Sequence, residues 1–159
     1  MKAFAFLAAF ALATKKDFPR DDSFHADCHV SATFDGVTCD SLYASTDAEI
    51  RSWDSSTTSP SGGIYMVKEE QSQNDVYIWS TRRTANKKYT DDQLFEFTST
   101  NAGCTVGGHS RSQSMSVYDY SVNFCNLWNV YNSLDTAFTY SVGKCGYPAD
   151  DPKTTCATY

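Results

Sequence analysis

Residues His109 to Asn132 constrain the fold most, because within one run the chain changes its hydrophobic period. The first residues read as a polar strand end. After Ser116, the residues Tyr120, Phe124, Leu127, Trp128 and Tyr131 recur at steps of three and four, the stripe of a core-facing helix. Ser116 and Asp119 stand as Ser-x-x-Asp, so Ser116 is expected to cap this helix with Asp119 answering from its first turn. Asn123, Asn126 and Asn129 lie beside Asp119 on the other side. Amides are poor helix formers because they compete for backbone hydrogen bonds, so three on one helix require partners.

The strands are read around that helix. Cys28–Phe34 alternates Val30, Ala32 and Phe34 with polar neighbours and stops at Asp35-Gly36. Thr38 can cap a helix carrying Leu42, Thr46, Ile50 and Trp53, running to about Asp54. A Ser/Thr/Pro/Gly loop follows from Ser55 to Gly63. Ile64–Glu70, Asp75–Thr81, Leu94–Thr98 and Cys104–His109 then read as strands, and Thr136–Cys145 as a last one. In Asp75–Thr81, Tyr77 and Trp79 fall on one face and Val76 and Ile78 on the other. The tail from Gly146, with Pro148 and Pro152, reads as loop. The order β-α-β-β-β-β-α-β predicts an α+β domain, a curved antiparallel sheet flanked by two helices and stabilised by disulfides.

With 159 residues, of which 41% are hydrophobic and 14% aromatic, the chain has material for one real core. Lys2 followed by the apolar run Ala3–Ala13 has the length of a signal-peptide core and ends in Ala11-Leu12-Ala13, a cleavage pattern; it is too short to span a membrane. The expected organisation is therefore a signal peptide at 1–13, a mobile charged leader at 14–27 and a single domain at 28–159, secreted and without a membrane span. Removing Lys2 moves the formal charge of −6 to −6 − 1 = −7. Such an acidic chain lacks the basic face of a nucleic-acid binder.

Six cysteines suit an oxidising compartment. Cys28 to Cys39 and Cys145 to Cys156 are equally spaced, which favours two local bridges and leaves Cys104 for Cys125. No Cys-x-x-Cys occurs and the histidines are scattered, so neither a metal nor a cofactor is expected. His25 and His29 flank Cys28 without a third ligand near them, and His109, beside Ser110, Ser112 and Ser114, has no nucleophile elbow.

Tyr89-Thr-Asp91-Asp92-Gln-Leu-Phe95-Glu-Phe97, then Arg111-Ser112-Gln-Ser114, then Asp119-Tyr-Ser-Val-Asn123 give residues 64–132 a resemblance to the domain-of-unknown-function family catalogued as number 1499. That family has an aromatic-x-Asp-Asp strand, an Arg-Ser-x-Ser strand end and an Asp-x-x-x-Asn helix start in the same order. This chain departs by one extra residue in the strand motif and by Phe124 and Cys125 where the family is basic. The resemblance implies no activity.

Asp91, Asp92, Arg111, Asp119 and Asn123 form the polar set that a meander and a helix could gather. Arg111 with a carboxylate makes a charge-assisted pair, expected to pin the helix to the sheet through Asp119, Asp91 or Asp92. No catalytic residue is assigned. The functional expectation is binding of a small apolar or amphipathic molecule between sheet and aromatic helix. The alternatives are an interaction protein with an aromatic surface for an extracellular partner, and a hydrolase using the Asp/Arg/Asn set. Processing should leave Thr14 as the first residue of the secreted protein; mass spectrometry finding Met1 retained would refute it.

Overall fold

The structure, a computed structural model, describes residues 14–159; the expected signal peptide lies outside the described residues. Strands β1 (Asp27–Asp35), β2 (Ile64–Gln71), β3 (Tyr77–Arg83), β4 (Thr90–Ser99), β5 (Gly103–Ser112) and β6 (Thr139–Cys145) form one antiparallel sheet. Helices α1 (Cys39–Ser52) and α2 (Val122–Ser133) complete the expected α+β architecture. The strand order is β2-β3-β4-β5-β1-β6. The four-strand meander is thus continued by β1, which sits between β5 and the edge strand β6. The β1–α1–β2 connection carries the chain across the sheet to its opposite edge.

Strand alternation divides the sheet into two faces. The inner face presents Val30, Ala32, Phe34, Ile78, Phe95 and Val106, all fully buried under Leu42 and Ile50 of α1 and Phe124, Leu127 and Tyr131 of α2. Tyr131 reaches through this layer to donate its hydroxyl to the Val30 carbonyl at 3.0 Å. Gly108 leaves the room, since a Cβ there would collide with that hydroxyl. The outer face carries a smaller cluster of Tyr77, Trp79 and Leu94 closed by Phe18. Residues 14–26, all but the last residue of the expected leader, cross this face as a strap, with Phe18 edge-on to Trp79 and Lys15 paired with Asp75 and Glu96.

Helix α1 begins as its sequence predicts, with the Thr38 hydroxyl accepting the Ser41 amide at 3.3 Å. Helix α2 does not. Ser116 instead forms a bridge with His25, and its hydroxyl donates to the Tyr118 carbonyl. Tyr120 and Ser121 then turn through the left-handed region at φ of 52° and 71°, so the helix opens only at Val122. Asp119 keeps a capping role, because its carboxylate accepts the Asn123 amide at 2.9 Å. The tail also differs from its expectation. It contains a short helix α3 (Pro152–Thr155), capped by Asp151, and a 3-10 turn over Cys156–Thr158.

All three expected disulfides are overturned. Cys28 bonds Cys145, Cys39 bonds Cys104, and Cys125 bonds Cys156. Equal spacing along the chain carried no information, because each bridge joins different elements: β1 to β6, the start of α1 to β5, and α2 to the tail. A local Cys28–Cys39 bridge is impossible while Cys28 is paired in register with Cys145 and Cys39 opens a helix. Three bridges and no free cysteine match an oxidising compartment. Among the described residues, no helix is long and apolar enough to cross a membrane. Non-reducing peptide mapping should recover these three pairs, and Cys28→Ala with Cys145→Ala should cost about 2–5 kcal/mol of unfolding free energy; an unchanged denaturant midpoint would contradict the stapling role of this bridge.

Candidate functional site

The two neighbouring aspartates of β4 point to opposite faces, so the polar set expected from the sequence splits in two. Asp91 faces inward with Asn123, while Asp92 and Arg111 face outward. Asp119 stands at the start of α2 on the inner side.

The inner group forms a connected network at one end of the helix–sheet layer. Asp91, 2% exposed, accepts from the Ser112 hydroxyl at 2.9 Å and the Asn126 amide at 2.9 Å. Asn126 also donates to Ser110, whose hydroxyl donates to Asn123 Oδ1 at 2.7 Å. Asn123 donates to Ser112, to the Ala26 carbonyl and to Asp119. Gln93 adds a bond from its side-chain amide to the Asn126 carbonyl. The asparagines of α2 thus satisfy the sheet rather than face solvent, which is why a helix so rich in amides forms here. Burial raises the Asp91 pKa above the ordinary carboxylate range, offset in part by its hydrogen bonds from Asn126 and Ser112. Arg82, 3% exposed, lies between Tyr65 and Asp91 in register, with Nε and Nη1 unpartnered.

This network forms one wall of a partly enclosed pocket of about 260 Å³. Asp91, Ser112 and Asp119 supply its polar side, and Tyr89, Met115, Tyr118 and Tyr120 its rim. The four rim residues are all more than half exposed. Tyr120 belongs to the left-handed pair that delays α2, so a strained turn builds part of the pocket. The volume between sheet and aromatic helix, where the sequence placed a ligand, is filled by Phe124, Leu127 and Tyr131.

Arg111 is buried, at 8% exposure, but its partner is neither Asp119 nor a β4 carboxylate. Its Nη2 donates to Asp22 of the strap at 2.6 Å. It therefore pins the strap to the sheet rather than the helix to the sheet. Asp22 also accepts from His25 and the Phe24 amide, and these bonds with Arg111 hold its carboxyl far below the usual range. Asp92 accepts from Trp79 Nε1 at 2.8 Å, with Lys68 stacked on that indole at 3.8 Å.

The outer face holds a group that spacing could not show. His29 and His109 are direct cross-strand partners, with rings stacked at 3.9 Å, and Asp21 of the strap lies against both. Burial, with His29 beside it, lowers the His109 pKa to about 4. Only the register of β1 on β5 brings these residues together. No family model, curated protein or solved structure matches the chain.

A carboxyl whose pKa is raised on folding binds its proton more tightly in the native state. Asp91 therefore favours the fold below the ordinary carboxylate range, and that contribution is lost as pH rises through the raised value. Denaturant titrations from acid to neutral pH should show stability changing more favourably with rising pH for Asp91→Asn than for the unaltered protein; equal slopes would mean that Asp91 titrates normally.

Proposed function

We propose that the protein is a secreted, non-enzymatic binding domain whose ligand is a small amphipathic molecule held in the tyrosine-rimmed pocket. The observation that carries this reading is one pocket lined both by the carboxylates of Asp91 and Asp119, each with acceptor capacity beyond its internal hydrogen bonds, and by exposed aromatic residues. Carboxylates accept and do not donate, so the ligand's inner end bears amine or hydroxyl donors. Its apolar part lies against Tyr89, Tyr118 and Tyr120, which bury large area at low entropic cost. A formal charge of −6 favours a cationic amine over an acid. Pockets of this kind, mostly apolar with a few fixed polar groups, are the usual form of small-molecule sites.

Catalysis finds less support. Both oxygens of Asp91 accept hydrogen bonds from Ser112 and Asn126, and Asp119 is occupied at the helix start. Arg111, the third member of the supposed hydrolase set, lies on the other face. The exposed tyrosines favour an extracellular interaction surface as the second reading.

The experiment is a screen by NMR of labelled protein against small aryl and alkyl amines, polyols and short fatty acids. Amines should shift the resonances of residues 112–122 and lose at least about tenfold in affinity when Tyr120→Ala removes a ring worth roughly 1.5–3 kcal/mol of burial. Binding confined to fatty acids, or shifts elsewhere on the molecule, would overturn the assignment.

A further inference from the structure

We propose that Asp21, His29 and His109 form a binding site for a divalent transition metal of the zinc type, on the face of the sheet opposite the tyrosine-rimmed pocket. The candidate ligand atoms of these residues all lie within 4.8 Å of one another. His29 Nε2 is 3.1 Å from Asp21 Oδ2, and His109 Nε2 is 2.9 Å from Asp21 Oδ1. Both ring nitrogens therefore converge on one carboxylate, at separations that adjacent ligands of one ion adopt when each bond is about 2.0–2.2 Å.

The way the chain builds this group argues against chance proximity. The two histidines stand opposite each other in register on β1 and β5, so the backbone ladder fixes their spacing. The carboxylate comes from a third segment, the strap. The strap is held by Phe18 against Trp79 and the His109 ring on one side of Asp21, and by the Asp22–Arg111 pair on the other. Asp21 is thus clamped from both directions along the chain.

Nε2 of His109 is left without a partner. It is buried and 2.9 Å from Asp21 Oδ1, yet it makes no hydrogen bond. A metal accepts the nitrogen lone pair and removes that deficit. The two imidazole nitrogens are borderline donors and outnumber the one hard carboxylate, which suits zinc and its neighbours rather than calcium or magnesium. A solvent molecule completes the coordination. The rings, 19° from parallel, must splay to aim both lone pairs at one ion. Lys144 competes for the site, with its ammonium 3.0 Å from Asp21 and 2.6 Å from Asp27. When a dication takes Asp21, Lys144 keeps Asp27.

The test is calorimetric titration of zinc chloride into untagged protein stripped with a chelator. One equivalent should bind with a micromolar or tighter dissociation constant, and raise the melting temperature as the metal concentration rises. His29→Gln, His109→Gln and Asp21→Asn should each weaken binding by at least about tenfold. His25→Gln, on the same strap but turned to Asp22, should leave it unchanged. Lys144→Met should tighten it several-fold, an effect that a merely structural contact does not produce. Melting curves in chelator establish that each variant is folded, and Asp21→Asn alters a strap residue outside both hydrophobic clusters. X-ray absorption at the zinc edge should show nitrogen and oxygen neighbours and no sulfur. No binding to the unaltered protein, affinity unmoved in the three ligand variants, or sulfur in the first shell would each overturn the site.

Discussion

The amides of α2 decide how this molecule is assembled. A helix with an aromatic stripe could slide or rotate over an apolar sheet, because hydrophobic contact is not directional. Asn123 and Asn126 remove that freedom by bonding to Ser110, Ser112 and Asp91, side chains fixed in register on two adjacent strands. Asn129 extends the arrangement to the C-terminal tail, donating to the carbonyls of Cys156 and Tyr159. Each partner left behind by a lost amide would be a buried polar group without water, at a cost of about 1–3 kcal/mol. The network therefore selects one docking of the helix and leaves the tyrosine-rimmed pocket as its margin.

The two faces of the sheet are used differently for the same reason that Asp91 and Asp92 separate. Consecutive strand residues point apart, so the Asp-Asp pair sends one carboxylate to the helix network and the other to Trp79 on the outside. Outside, charge and aromatic groups are closed by the strap rather than by a helix. Arg111 and Asp22, His109 and Asp21, and Trp79 and Phe18 make this closure point by point. The strap is thus part of the tertiary structure, although its composition, rich in Asp, Lys and Arg, reads as a solvated leader.

Most of the fold was legible because it rests on local periodicity. The strands, the Thr38 cap and the opposite faces of Trp79 and Ile78 follow from spacing alone. The start of α2 did not, since Ser116 and Asp119 satisfy the capping pattern while Tyr120 and Ser121 adopt a left-handed turn no pattern announces. The disulfides and the Asp21–His29–His109 group were illegible for a different reason. They depend on β1 lying between β5 and β6, a pairing across the whole chain, and spacing in sequence has no bearing on it. Of the polar set, Asp91, Asp119 and Asn123 lie on the inner side, whereas Asp92 and Arg111, directly paired across β4 and β5, lie on the outer face, since alternate strand residues point apart.

The position of β1 has a consequence for how the chain is made. Its first neighbour in the sheet, β5, begins at Gly103, and its second, β6, ends at Cys145. As the polypeptide emerges from the ribosome, an apolar strand with two open edges must wait for most of the remaining chain before it can pair. During that interval Cys28 is an unmatched thiol, and Cys39 lies within reach long before Cys104 or Cys145 exists. Neither cysteine can meet its native partner until that later strand has been made, so both long-range bridges close late and record the completed sheet rather than guide its start.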